Sequence, residues 1–310
     1  MNNIKTDLSI VGLGAASYAA ALYSVRYQIP TIMIGSEFGG ETATGGLIEN
    51  YPGVPEIDGY DLMLNMKEQV EKYNIKTIDE NALNIERENN DFLIKCSDST
   101  IVKSKSVILG IGRERRKLNL KNEENLVGKG VSYCSTCDAP LYKDKVTAVV
   151  GGGNAAIEGA LLLSRYSTKV YLIYRGEKIF RPEPVLLKHL DESKNITVLL
   201  NTNVTKINGN EETGLSSIET KNDIQEDVIK IDGLFIEIGA DPRLEIPHQL
   251  GLEINKSTNE VHVNNLMETN LKGIFAAGDL TDASGNLKQT VTAAGQGAIS
   301  ALSAYNYLNQ

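Results

Sequence analysis

Apolar positions along this chain fall into two blocks, and each block changes its period in the same order. The first starts with a short apolar run, Leu8 to Val11, breaks at glycines, continues as an apolar stretch from Ala15 to Arg26, and closes on a β-branched run, Thr31 to Ile34. The period switches from two in the short runs to 3.6 in the stretch between them, as a strand, a helix and a strand require. The block therefore predicts a βαβ unit. The second block repeats it, with a strand at Val146 to Val150, glycines, a helix from Ala155 to Arg165 and a strand at Val170 to Tyr174.

Short β-branched runs separated by turn residues follow each block. They are Ala82 to Glu86, Phe92 to Lys95 and Ile101 to Lys103 in the first half, and Val204 to Ile207, Ser217 to Thr220 and Val228 to Ile231 in the second. Each half then ends on a strand closed by glycine, Val107 to Gly110 and Leu234 to Gly239. The pattern predicts two copies of one α/β fold. The tail from Gly273 to Gln310 reads as a strand, a Gly-Asp turn and an Ala-rich helix, with no counterpart in the second block. It is expected to return and complete the first domain.

With 310 residues, 41% hydrophobic, the chain is long enough for two cores. A net charge of -9 and a pI near 5.1 set most of the surface against a phosphate backbone, so no nucleic-acid partner is expected. The basic cluster Arg113, Arg115, Arg116 and Lys117 reads as a solvated stretch between domains. No apolar run approaches the roughly 18 residues of a membrane span. Nothing before Leu8 resembles a signal peptide. Three cysteines are too few for a disulfide framework in a chain of this length, and a reducing compartment, the cytoplasm, is expected.

The glycines carry the first chemistry. In Gly12-Leu13-Gly14-Ala15-Ala16-Ser17 the first glycine permits a tight turn and the second lets backbone approach a pyrophosphate at the helix N-terminus. Close packing wants Gly or Ala at the third position, which is Ser17 here. Gly151-Gly152-Gly153-Asn154-Ala155-Ala156 fits better, because Ala156 fills that position. Two such units point to two dinucleotides, ordinarily a flavin in one and a nicotinamide in the other.

The sulfurs carry the second. Cys134-Ser135-Thr136-Cys137 lies just upstream of the second glycine cluster, and its spacing suits a redox pair that closes a small disulfide ring. Two alternatives stay open: zinc ligands, for which Cys96, His189, His248 and His262 offer no matching spacing, and two unrelated structural cysteines. Cys96 itself reads as a buried small hydrophobe.

Several runs together give the chain a family likeness. Gly128-Lys129-Gly130-Val131-Ser132-Tyr133-Cys134-Ser135-Thr136-Cys137-Asp138, then Val149 to Asn154, resembles the low-molecular-weight thioredoxin reductases. So do Gly39-Gly40-Glu41, Glu49-Asn50-Tyr51-Pro52-Gly53, and Phe275-Ala276-Ala277-Gly278-Asp279 with Lys288-Gln289 and Ala294-Gly295. The likeness implies two Rossmann-like three-layer domains, the second inserted into the first. An FAD domain would span 1–114 and 242–310, a pyridine-nucleotide domain carrying the dithiol 115–241, and the protein would be a homodimer.

By the same likeness Cys137 faces the flavin, Cys134 attacks the disulfide of thioredoxin or a similar protein, and Asp138 donates a proton. FAD contacts would come from Gly12, Gly14, Ser17, Glu37, Gly39, Gly40, Glu41, Asn50, Asp279, Gln289 and Thr290. Gly151, Gly153, Ala156, Arg175 and Arg181 would meet the pyridine nucleotide. The two domains would rotate between a pose that reduces the flavin and one that exposes the dithiol, a gating motion.

Three residues depart from the family pattern. Glu41 stands where Gln is usual and brings a carboxylate near the flavin, which makes its reduction harder. Ser17 replaces the third glycine. In Tyr174-Arg175-Gly176-Glu177-Lys178-Ile179-Phe180-Arg181 the family's His-Arg-Arg run has lost its His and second Arg. A bidentate arginine clamp on a 2′-phosphate is then incomplete, and Glu177 suits a free ribose hydroxyl. NADPH is doubtful, with NADH, dual use or no nicotinamide left open. A ferredoxin or flavoprotein donor, a small-molecule dithiol oxidase and a non-catalytic redox sensor are the competing readings.

Overall fold

The structure is a computed structural model that describes residues 3–180, 182–285 and 287–310. It divides into two compact units, 1–114 with 242–310, and 115–241. Both are Rossmann-type three-layer folds.

The sheet of the first unit runs in the order Lys76–Ile78, Thr31–Ile34, Asn3–Val11, Ile101–Leu109, Asp91–Cys96 and Ala82–Glu88, with Ile274–Ala276 also on Ile101–Leu109. Along Ile101–Leu109 the partner changes. Its first half pairs antiparallel with Asp91–Cys96 and its second half parallel with Ile274–Ala276. The sequence pattern suggests two runs here, Ile101 to Lys103 and Val107 to Gly110, broken by Ser104-Lys105-Ser106. The strand continues because the alternation keeps both lysines outward, on Glu88 at 2.7 Å and Asp7 at 2.7 Å.

Period-two burial fills both faces of this sheet. Leu8, Ile10, Met33, Ile108 and Phe275 pack beneath the helices Ala15–Arg26 and Thr290–Leu308, while Val11, Ile32, Ile34, Val107 and Leu109 form the opposite core. A third helix, Gly59–Glu71, starts where Asp58 accepts the Tyr60 N–H at 2.8 Å.

In the second unit a parallel sheet runs Val131–Ser132, Gly233–Ile236, Val146–Val150, Lys169–Ile173 and Ile196–Leu199. Val149, Leu172 and Phe235 meet the helix Asn154–Ser164 through Ala156, Ile157 and Ala160. Ala148, Val150, Leu234 and Ile236 meet Ile207 and Ile218 of the antiparallel sheet Asn203–Asn210, Gly214–Lys221 and Glu226–Lys230. Among the described residues no helix is long and apolar enough to cross a membrane.

The contact between the first and last helices depends on one hydrogen. A Cβ on Gly297 would stand 2.0 Å from the Ala16 carbonyl oxygen, whereas one on Gly295 would meet nothing within 4 Å. Gly297→Ala is expected to lower the unfolding free energy by about 1–3 kcal/mol through overpacking. Gly295→Ala should be neutral, or stabilising by up to about 1 kcal/mol as a helix-interior glycine is removed. Urea midpoints of the two variants test this, and equal shifts would contradict it.

Candidate active site

The first nucleotide site is built at the carboxyl end of Asn3–Val11. Gly12 has φ +112°, and a Cβ there would lie 2.2 Å from the Gly110 carbonyl oxygen, so the turn accepts glycine alone. Ser17 is fully buried and donates its hydroxyl to that same carbonyl at 3.3 Å. The third position thus keeps the close approach with a hydrogen bond in place of a hydrogen. Gly14 caps the helix without a side-chain hydrogen bond, and a Cβ on it would meet nothing within 4 Å. The helix end is open and electropositive, which fits a pyrophosphate.

Residues distant in sequence converge there. Gly39 N donates to the Leu13 carbonyl at 2.8 Å, and a Cβ on Gly40 would stand 3.7 Å from the Gly14 Cα. The hydroxyls of Thr42 and Thr290 are 3.1 Å apart, and Asn50 Nδ2 donates to Gln289 Oε1 at 3.2 Å. Gly278 packs on Ala16, which brings Asp279 to the helix end. Glu37 is exposed and paired with Arg243 at 2.7 Å. The sequence-identified set Gly12, Gly14, Ser17, Gly39, Gly40, Asp279, Gln289 and Thr290 is therefore gathered at one end of one sheet.

The basic cluster departs from expectation at two of its four positions. Arg116 and Lys117 are half exposed on Asp241 and Glu124. Arg113 is largely buried and bonds Glu260 Oε1 at 3.2 Å, and Lys288 bonds the same oxygen at 2.8 Å. Among the described residues, Glu260 Oε2 and Arg113 Nε are buried with no hydrogen-bond partner. Beside them, burial pushes the Asp279 carboxyl above its ordinary value, with Arg113 and Lys288 pulling it down and Glu41 and Glu260 pushing it further up. A half-buried carboxylate and two unsatisfied polar atoms fit a hydroxyl-rich ligand that would supply donors and acceptors.

The second glycine cluster repeats the turn. Gly151 has φ +148°, with its Cβ position 2.1 Å from the Glu237 carbonyl oxygen, and Ala156 is fully buried against it. Gly153 caps Asn154–Ser164 with open space before it. The surroundings are acidic. Asn154 and Glu183 exchange two hydrogen bonds of 3.2 and 3.0 Å, and burial together with Glu183 pushes the Glu158 carboxyl up. The Tyr174 ring lies between two glycines, within 2.4 Å of a Cβ on Gly152 and 2.7 Å of one on Gly176. Arg175 and Glu177 are exposed, and Arg181 lies outside the described residues.

Cys134 and Cys137 are joined in a disulfide with Cα atoms 5.3 Å apart, so neither sulfur serves as a zinc ligand. Cys134 precedes the short helix Ser135–Asp138, and its sulfur accepts the Cys137 N–H at 3.1 Å. After reduction the same N–H stabilises a thiolate at Cys134. Ser132 Oγ accepts the Cys134 N–H at 3.0 Å. Cys137 is exposed, Asp138 half-buried. Cys96 is 3% exposed, and burial pushes its thiol up to about 11. Arg115 and Glu237, which flank the dithiol turn, carry no motif that sequence reading could have found.

The sequence matches the pyridine nucleotide-disulphide oxidoreductase family over residues 6–297. It is similar to a thioredoxin reductase of Mycoplasma genitalium, 36% identical over 297 residues, covering 96% of this chain and 93% of that one. Its fold is similar to the crystal structure of Lactococcus lactis thioredoxin reductase, with a TM-score of 0.91 at 30% identity over 98% of this chain and 99% of that one. The thioredoxin reductase of T. acidophilum superposes with a TM-score of 0.88 at 31% identity, covering 97% and 98%.

The raised Asp279 carboxyl sets a pH dependence. Where a carboxyl is harder to ionise in the fold than in the unfolded chain, rising pH ionises the unfolded chain first and favours it. The penalty begins near the ordinary carboxylate range and is fully present above the folded-state value. Asp279→Asn should therefore stabilise the cofactor-free protein at pH 8 and leave it unchanged at pH 3. Urea midpoints at the two pH values check this, and a variant less stable than the parent at pH 8 would contradict it.

Proposed function

Because this chain belongs to the pyridine nucleotide-disulphide oxidoreductase family, we propose that it reduces the disulfide of a thioredoxin, drawing electrons from NADH through FAD and the Cys134–Cys137 pair. It is an FAD-dependent disulfide oxidoreductase of the thioredoxin reductase type. The observation that carries the thiol assignment is the Cys134–Cys137 disulfide, set in the second of two Rossmann-type units. The enzyme works in the cytoplasm as a homodimer.

The residues at the end of the first sheet are assigned to FAD. Gly12 and Gly14 admit the pyrophosphate, Ser17 holds the turn closed, and Gly39, Gly40, Glu41 and Thr290 line the loop above it. Asp279 would accept from ligand hydroxyls, Asn50 and Gln289 would meet FAD as a bonded pair, and Glu37, paired with Arg243, would contact it from the rim. When bound, FAD supplies the two-electron relay between a nucleotide and a disulfide.

The dithiol chemistry is then the chain's own. The Cys134 thiolate, steadied by the Cys137 N–H, attacks one sulfur of the partner disulfide and forms a mixed disulfide as the partner's other sulfur leaves as a thiolate. Cys137, deprotonated, attacks the Cys134 sulfur. The partner's second sulfur departs, Cys134–Cys137 is closed again, and the partner carries the electron pair away as a dithiol. Asp138, in the same turn, donates the proton that a departing thiolate needs.

NADH is assigned over NADPH because a 2′-phosphate would meet Glu177 and no second arginine at Gly176. Gly151, Gly153 and Ala156 would receive the nucleotide's pyrophosphate, and Arg175 its outer face.

Anaerobic titration of the purified yellow protein tests the donor. NADH should bleach the flavin band at concentrations lower than NADPH by about tenfold or more. Bleaching by NADPH first would overturn the nucleotide choice, and no bleaching with either would overturn a nicotinamide donor. Serine at Cys134 or at Cys137 should reduce turnover of thioredoxin disulfide to background while the flavin still bleaches. Turnover in either variant would overturn the dithiol path.

A further inference from the structure

One ion pair holds the dithiol turn from both sides. Arg115 Nη1 donates to the Tyr133 carbonyl and, at 2.9 Å, to Glu237 Oε2. Glu237 Oε1 accepts the Ser135 N–H at 3.2 Å and the Ser135 hydroxyl at 2.9 Å. The pair therefore grips the residues immediately before and after Cys134. Side-chain exposure is 7% for Glu237 and 25% for Arg115, so solvent screens their charges weakly.

The fold makes room for this arrangement. A Cβ on Gly159 of the helix Asn154–Ser164 would lie 2.5 Å from Ser135 Oγ, and one on Gly151 would lie 2.1 Å from the Glu237 carbonyl oxygen. Both approaches need glycine. Among the described residues, the other titratable groups here include Asp138 in the turn, Tyr133 with its hydroxyl on Glu123, Tyr142 in the following turn, Glu158 on the adjoining helix, Glu114 next to Arg115, and the Arg116–Asp241 pair. Changes at Arg115 or Glu237 leave these in place, so they set a baseline and not the sign of an effect.

We propose that Arg115 and Glu237 are positioning residues for the dithiol, a charge-balanced pair that fixes the backbone around Cys134 and sets how stable its thiolate is. The proposal rests on the dithiol reading above. A nearby carboxylate disfavours a thiolate and a nearby guanidinium favours it. In the intact pair the two effects oppose each other. Glu237→Gln keeps an oxygen for Ser135 and removes one negative charge beside the turn, so the Cys134 thiol becomes more acidic. Arg115→Gln removes one positive charge beside the turn, so it becomes less acidic. A stabilised thiolate favours the reduced form, and the disulfide of Glu237→Gln is then the stronger oxidant.

The opposite signs separate this role from a merely structural one, since two variants that only loosened the turn would shift the thiol the same way. The test uses the FAD-loaded protein carrying Cys137→Ser, so that Cys134 is the reactive thiol of the motif. The rate at which iodoacetamide alkylates the Cys134 peptide is read by mass across pH. Relative to the parent, Glu237→Gln should raise the ionisation constant by about tenfold and Arg115→Gln lower it by a similar factor, with the double variant near the parent. With Cys137 intact, equilibration against a dithiol buffer should move the same way, a tenfold change in equilibrium constant corresponding to about 30 mV.

Shifts of the same sign, or no shift in a Glu237→Gln protein that remains yellow, would overturn the proposal. Should Arg115→Gln fail to fold, Ser135→Ala replaces it, because it removes one hydrogen bond and leaves both charges. Its shift should stay within about twofold, and one as large as that of Glu237→Gln would overturn the proposal. Thioredoxin turnover by the parent is read separately. Turnover with same-sign shifts sinks this inference alone, and opposite shifts without turnover sink the functional reading alone.

Discussion

Both units depend on a backbone approach that no side chain allows. At the end of the leading strand in each, a glycine faces the carbonyl oxygen of the strand beside it so closely that a Cβ would stand 2.2 Å away at Gly12 and 2.1 Å away at Gly151. This contact fixes the angle at which each helix leaves its sheet, and so aims an uncapped N-terminus at the open space before Gly14 and Gly153. The anion site is a consequence of that angle. Ser17 in one unit and Ala156 in the other answer the same requirement, one with a hydroxyl bonded to Gly110 and one with a methyl.

Charge in this acidic chain is placed with equal economy. Arg113 with Glu260 and Lys288, and Arg115 with Glu237, are ion pairs taken largely out of water, and such pairs add little net stability because desolvation offsets their attraction. Their worth lies in position. One group lies beside Asp279 at the nucleotide end of the first unit, and the other clamps the peptide of Cys134 in the second. The first sets two cations against one carboxylate beside Asp279, and the second sets one cation against one carboxylate beside Cys134.

Much of this was legible in the sequence, for reasons that can be stated. The strand Thr31–Ile34 and the strand Val146–Val150 have the bounds that the apolar pattern suggests, because each is apolar on both faces and stops at a glycine or a turn. The glycine clusters and the cysteine pair were readable because their chemistry is local. Ile101–Leu109 was read as two runs, since its middle is lysine and serine and only the partner strand shows that they alternate. Glu237, and the pairing that takes Arg115 out of its solvated cluster, are invisible for a different reason. The two residues are 122 residues apart, and nothing near either one in the chain announces the other.

The nucleotide preference shows how far single residues can be read alone. From sequence, Gly176 looks like a missing arginine that one substitution could restore. The structure places the Tyr174 ring in the space that a side chain at 176 would need, and the ring is held on its other side by Gly152. Tyr174, Gly152 and Gly176 are therefore one packing decision, and Glu177 adds charge to it. A 2′-phosphate clamp could not be installed at position 176 without first moving the ring. Under the NADH reading proposed above, the fit of an aromatic side chain between two glycines matters before the charges at the rim do.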